Sequence, residues 1–207
     1  MVRVQSNVDP SSPSKLVLNA VSVGLGADQF FRLCRDNPDF RLELTAQGKI
    51  IVMPPAGAES GRWNFEISSQ LSVWSKRDKT GVGFDSSAGF TLPNGAVRSP
   101  DVSWIRRSRW NKLQPEQREK FAPICPDFVL ELRSPTDDLS DLKLKMQEYI
   151  ENGAQLGFLI DPVQAIVWVY RHDAKPQRFE KPDTVNGDPC LPGFKLRLAK
   201  LWRGTQS

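Results

Sequence analysis

The spacing of apolar residues along the chain predicts a series of helices and short strands. "GADQFFRLCRDNP" carries Phe30, Phe31 and Cys34 at helical spacing and stops at Pro38, which predicts a short amphipathic helix from about Ala27 to Asp36. "FRLELTAQGKIIVMPP" alternates as two strands around a turn at Gln47-Gly48. "SGRWNFEISSQLSVWSKRD" places Trp63, Ile67, Leu71 and Trp74 four, four and three residues apart, a longer amphipathic helix starting near Ser60. Short β segments follow over Val82 to Leu92 and Asp101 to Arg106, then a polar, proline-containing excursion through Arg118. "DFVLELR" has the strongest strand pattern in the chain, and "LSDLKLKMQEYIENG" the strongest helix pattern, ending in a glycine suited to a helix C-terminus. "LGFLID" and "AIVWVYR" read as two more strands, and the tail "LPGFKLRLAKLW" is apolar enough to pack back. The order of elements defines an α/β or α+β fold, a mixed sheet with helices packed on it.

The first fifteen residues lack clear periodicity and read as a loose arm, leaving 16–207 as one expected domain. At 207 residues, with 39% apolar and 25% charged residues, the chain is large enough for a full core and too apolar for wholesale disorder. A formal charge of +4 is compatible with a nucleic-acid partner but decides nothing alone. Cys34, Cys125 and Cys190 lie far apart with no C-x-x-C pair, which argues against a zinc site or a disulfide framework. No apolar run is long enough for a membrane span and no export signal is visible, so a cytoplasmic protein is expected.

The single histidine, His172, removes Ser-His-Asp hydrolysis and multi-histidine metal centres, and reads as a strand-end surface residue. No phosphate-binding glycine loop or nucleophile elbow is present. Any chemistry must therefore rest on carboxylates and lysine, with or without a metal.

Strand alternation from Asp127 to Arg133 sends Phe128, Leu130 and Leu132 to one face, and Asp127, Val129, Glu131 and Arg133 to the other, read as a charged face. Glu131 among such apolar neighbours needs a cation, a metal or water, and a pair with Arg133 is the simplest alternative. Asp101 likewise opens an apolar strand. If the two strands are neighbours, the carboxylates converge and repel unless a hard divalent cation such as Mg²⁺ lies between them. Lys145 sits at the edge of the buried stripe Leu139, Leu142, Met146 and Tyr149, where either a surface pair with Asp141 or a role beside the carboxylates is open.

The segments "RSPDVSWI", "CPDFVLELRSPTDDLSDLKLKMQEYIENGAQLGFLIDP" and "VWVYR" resemble the Uma family (Uma-two domain) of restriction endonucleases, a branch of the PD-(D/E)XK nuclease superfamily, over about Ala27 to Trp202. The resemblance implies a restriction-endonuclease-like α-β-β-β-α-β core, a central mixed sheet flanked by helices. It also implies a phosphodiesterase dependent on Mg²⁺ or Mn²⁺ and acting on nucleic acid, DNA in the first instance. Pro100-Asp101 matches the PD motif and Glu131 the acidic residue of (D/E)XK, which makes Asp101, Glu131 and the backbone carbonyl of Leu132 the implied metal ligands. The motif's lysine position holds Arg133, a poor general base because it stays protonated. The resemblance places the lysine on the next helix, at Lys145.

Glu43 matches a carboxylate of the family's first hairpin, although a surface strand charge is an equal reading. Asp85 reads as a turn residue and Glu66 as part of a solvated helix face. A second "PD", at Pro126-Asp127, is too far from Glu131 along one strand to share a metal, roughly 13 Å at strand rise. Arg106, Arg107 and Arg109, interleaved with Trp104 and Trp110, suit phosphate contacts and base stacking, or else a solvated strand end. Nucleases that cut both strands of a duplex are commonly two-fold dimers, so a homodimer is the expected assembly. The alternative function is a nucleic-acid-binding or assembly module that keeps the nuclease scaffold without turnover.

Overall fold

The computed structural model describes residues 16–203; the arm predicted over 1–15 lies outside the described residues. The elements run β1 (Leu16–Asn19), α1 (Ala27–Asp36), β2 (Arg41–Leu44), β3 (Lys49–Met53), α2 (Ala58–Asp78), β4 (Gly81–Asp85), β5 (Phe90–Thr91), β6 (Val97–Arg98), β7 (Val102–Arg106), α3 (Arg107–Trp110), α4 (Pro115–Arg118), β8 (Phe128–Leu132), α5 (Leu139–Glu151), β9 (Leu156–Asp161), β10 (Ile166–Arg171), β11 (Ala174–Glu180), β12 (Thr184–Asn186), β13 (Lys195–Arg197) and α6 (Ala199–Arg203). A six-stranded mixed sheet has the order β11-β10-β9-β8-β7-β4, in which β8 and β9 are the parallel pair, joined through α5. A five-stranded antiparallel sheet, β1-β3-β2-β6-β5, carries the first hairpin. Its turn closes at Gly48, whose φ of +74° is a left-handed conformation that glycine adopts without a Cβ penalty.

Helix α2 buries Trp63, Ile67 and Leu71 against Val102, Trp104, Phe128, Leu130 and Leu132 on one face of the large sheet. Helix α5 covers the opposite face, where Leu142, Met146, Tyr149 and Ile150 meet Ile105, Val129 and Leu159. Asp138 caps the N-terminus of α5 by accepting from the Ser140 and Asp141 N–H groups, at 2.7 and 3.0 Å. At its C-terminus Gly153 takes a φ of +107°.

Burial on both sides corrects the sequence reading of β8. All five of its residues are buried, so the face read as charged is a second core, and Glu131 lies beneath a helix. Two further elements were not anticipated. The arginine-rich segment after β7 winds into α3 instead of ending as a strand. Strand β11 is exposed along its whole length and has no apolar alternation to announce it; Pro176 sits at the irregularity in its pairing with β10, where a missing N–H is tolerated.

Gly81 fixes the approach of β4 to β7, because a Cβ there would lie 2.2 Å from the Trp104 ring and 2.4 Å from the Ile105 carbonyl oxygen. Neither neighbour can swing away. Gly81→Ala is therefore expected to destabilise the fold by about 1–3 kcal/mol or more, read as a lower urea midpoint. An unchanged midpoint would mean that the β4–β7 approach is looser than described.

Candidate active site

Antiparallel pairing of β7 with β8 sets Val102 opposite Leu130, which extends to bring Asp101 opposite Glu131 at the end of the large sheet. Directly opposed residues share a face, here the face covered by α5. Asp101 is half-buried. Its Oδ2 accepts from the Leu132 N–H at 2.9 Å, and its Oδ1 accepts a long bond from Asn64 Nδ2 of α2, 3.3 Å. The N–H and C=O of one strand residue point the same way, so the Leu132 carbonyl is also directed to the Asp101 side. Burial pushes the Asp101 carboxyl above its ordinary range, against the Leu132 bond and the charge of Lys145.

Glu131 is almost fully buried. Its Oε1 accepts from Tyr149 Oη at 3.0 Å and lies 2.8 Å from Lys145 Nζ. The same Nζ is 2.8 Å from Glu43 Oε1, so Lys145 bridges a carboxylate of the small sheet and one of the large sheet. Glu43 also accepts from Arg98 Nη1 (3.1 Å) and the Ser99 N–H (3.0 Å). Arg98 in turn reaches Glu148 of α5 at 2.6 Å. Burial opposes ionisation of Glu43, but Lys145 and Arg98 outweigh it and hold its carboxyl down to about 2. Burial dominates at Glu131, which is pushed up to about 7; Lys145 opposes the shift, and the charges of Asp101 and Glu43 add to it. Lys145 is held above the usual lysine range, its burial outweighed by Glu131 and Glu43.

The structure thus brings together four of the residues predicted for the site, Asp101, Glu131, Lys145 and Glu43. The alternatives for Glu131 and Glu43 give way. Arg133 turns from Glu131 to the buried Asp161, 2.7 Å, and Glu43 is a buried carboxylate instead of a surface charge. Asp85 is the last residue of β4, paired with Val102, and accepts from the Ser87 N–H and Oγ; His172 is exposed beyond the end of β10.

The three arginines are not brought to the site. They start at the far end of β7, five residues or roughly 16 Å from Asp101 at strand rise. There the Arg106 N–H donates to the buried Asp127 at 2.9 Å, and the Arg109 guanidinium sits 3.1 Å from the same carboxylate. Arg107 donates to the Lys79 and Gly81 carbonyls.

Sequence reasoning assigned no role to Arg98, Glu148, Asn64 or the Tyr149 hydroxyl. Tyr149 lies one helical turn beyond Lys145, a spacing that puts its hydroxyl beside the same carboxylate, and Arg98 stands two residues before Pro100 in the quoted motif. Those two positions were the available signals.

Among the described residues, no three histidine, cysteine, aspartate or glutamate side chains group as metal ligands. Any hard cation would be held by the pair Asp101 and Glu131 with main chain and water, a donor set that suits Mg²⁺, which uses one or two carboxylates and keeps several waters.

A mixed sheet flanked by helices, with an acidic pair at the strand ends and a lysine from the following helix, defines a restriction-endonuclease-like architecture. Residues 27–199 match the family Uma2, described as "Putative restriction endonuclease", and the chain belongs to that family. The crystal structure of "a putative nuclease belonging to DUF820" from Anabaena variabilis superposes with a TM-score of 0.72 at 25% identity, covering 86% of this chain and 98% of that one. Two short matches are to proteins named NADH dehydrogenase (ubiquinone) 1 alpha subcomplex subunit 4-like 2. The one from Mus musculus is 42% identical over 45 residues, 20% of this chain and 52% of that protein. The one from Bos taurus is 39% identical over 51 residues, 23% of this chain and 58% of that protein. The chain spans about half the length of these curated relatives. Among the described residues no helix is long and apolar enough to cross a membrane.

Two stability measurements check this geometry. Arg98→Met leaves the half-buried Glu148 without its cation and Glu43 with Lys145 and the Ser99 N–H alone, and should cost about 1.5–3 kcal/mol; a loss below about 0.5 kcal/mol in urea unfolding would contradict the bridge. Glu131 has a raised pKa, so the folded state keeps a proton that the unfolded chain loses. Wild-type stability therefore falls as pH rises from the ordinary carboxylate range to about 7, and the loss is complete above that. Glu131→Gln removes this cost, so its melting temperature relative to wild type should climb over the same window. A difference independent of pH would contradict the assignment.

Proposed function

We propose that this chain is a divalent-metal-dependent phosphodiesterase that cuts nucleic acid, DNA in the first instance. The reading is supported by the opposed Asp101 and Glu131 at the strand ends, with Lys145 Nζ 2.8 Å from Glu131. Asp101, Glu131 and the Leu132 carbonyl would hold Mg²⁺ or Mn²⁺. When bound, such an ion supplies Lewis acidity at a phosphoryl oxygen and a water acidic enough to attack near neutral pH.

The protein's own groups do the rest. The Leu132 N–H and Asn64 fix the Asp101 carboxylate, and the Tyr149 hydroxyl fixes Glu131. Glu131 and Glu43 hold Lys145 above the usual lysine range, which favours its charged form. Its role is a fixed positive charge facing the negative charge that develops on the phosphate. Arg98 and the Ser99 N–H hold Glu43, and Glu43 keeps Lys145 at the Glu131 side. Arg133, at the motif's lysine position, is committed to Asp161.

One observation favours the second reading, a nucleic-acid-binding or assembly module without turnover: Lys145 already closes a bridge between Glu43 and Glu131, and its side chain is only 10% exposed. Turnover separates the two. Incubation of supercoiled plasmid and single-stranded DNA with millimolar Mg²⁺ or Mn²⁺ should give cleavage that EDTA stops. Asp101→Asn, Glu131→Gln and Lys145→Met should each lower it by about 10²-fold or more. No cleavage by folded wild type on either substrate would leave the module reading standing.

A further inference from the structure

On the sheet face opposite α5, a groove of about 710 Å³ runs between α2 and the segment of β13 and α6. We infer that this groove binds a single-stranded stretch of nucleic acid, an inference that rests on the nuclease reading for the identity of its occupant. Four cations line it, Arg77 on α2 with Lys195, Arg197 and Lys200 opposite. All four are exposed, and among the described residues none forms an ion pair with a carboxylate. Glu66 is the single acidic residue in the lining. Lys195 has the Asp188 carboxylate within electrostatic reach, and exposed cations gathered on both walls suit a polyanion lying along them.

The floor is apolar and aromatic. Trp74 is partly exposed there, and its position is fixed: its Nε1 donates to the Pro192 carbonyl at 3.0 Å, and its ring tilts against Phe194 and Trp104 with centroids 5.5 and 5.7 Å apart. A rigid indole face between cationic walls is the combination by which proteins hold unpaired bases without reading their sequence. The walls are also tied together, since the Gln70 side chain donates to the Arg197 carbonyl and accepts from its N–H, at 3.1 and 2.9 Å. The groove is thus built into the fold rather than opened by a swinging side chain.

The groove is lined along α2 from Trp63 to Arg77, about 21 Å at helical rise, on the sheet face away from α5, and Asp101, Glu131 and Leu132 are not in its lining. Of the possible occupants, the exposed cations favour a phosphate backbone over a second copy of this chain, whose own groove carries the same charge.

The test measures binding without turnover. A fluorescein-labelled oligothymidylate is titrated in EDTA by fluorescence anisotropy at several salt concentrations, using wild type, Arg77→Ser with Arg197→Ser, Trp74→Leu, and a control carrying Lys112→Ser with Lys175→Ser, away from the groove. Circular dichroism confirms that each variant is folded. Affinity should fall about tenfold or more in Trp74→Leu. In the double groove variant it should also fall, with a salt slope shallower by about 1.4, two phosphate contacts at about 0.7 each on a single strand. The control should match wild type. Equal loss in the control, unchanged binding in the groove variants, or tighter binding of the same sequence as a duplex would each overturn the inference. So would sedimentation showing a wild-type dimer that the groove variants dissolve, since the occupant would then be a second copy. Metal-free binding is independent of cleavage: binding that fails where plasmid is cut sinks the groove alone, and binding that holds where plasmid is not cut sinks the catalytic reading alone.

Discussion

One ammonium group joins the parts of this molecule that matter for chemistry. Lys145 Nζ lies 2.8 Å from Glu43 on the small sheet and 2.8 Å from Glu131 on the large sheet, and it belongs to the helix packed between them. A buried charge is tolerated only when its partners are close and well placed, so this contact sets how the three elements meet. Arg98 repeats the arrangement one step away, between Glu43 and Glu148. Glu43 accepts from both cations, so each is linked to the other through one buried carboxylate. The same burial leaves Glu131 hard to ionise.

This arrangement also separates two kinds of acidic residue that look alike in the chain. Asp101 and Asp127 both follow a proline and both stand beside an apolar strand. Asp127 is satisfied from within, by the Arg106 N–H and the Arg109 guanidinium, at the far end of the sheet. Asp101 has only the Leu132 N–H and a long amide contact, and it lies next to a second carboxylate. The cations beside Trp104 and Trp110, read from the chain as phosphate contacts, thus have structural partners.

Much of this was visible in the chain because local periodicity carries it. Helix α1 has the bounds its apolar spacing predicts, the hairpin turns at Gly48, and the pair Asp101 and Glu131 follows from two motifs on strands that prove adjacent. What escaped depends on contacts distant in sequence. Period-2 alternation in β8 separates its two faces but cannot say that both are covered, so Glu131 was read onto a charged face. Glu43 and Arg98 are 55 residues apart, and nothing local distinguishes that glutamate from an exposed strand charge. Strand β11 is exposed on both sides, so its place in the sheet comes from backbone pairing that side-chain patterning does not record. Lys145 was tied to the carboxylates only by family resemblance, because its spacing to Asp141 fits a surface pair equally well.

The proposal stands or falls on whether Asp101 and Glu131, both pushed toward the protonated form by burial, together bind a divalent cation. Calorimetric titration of the wild-type protein with Mn²⁺ at pH about 7, repeated in two buffers of different ionisation enthalpy, tests it directly. The account predicts one site, binding accompanied by release of a substantial fraction of a proton, and loss of both in Glu131→Gln. Absence of binding at millimolar metal, or binding that survives unchanged in Glu131→Gln, would contradict it.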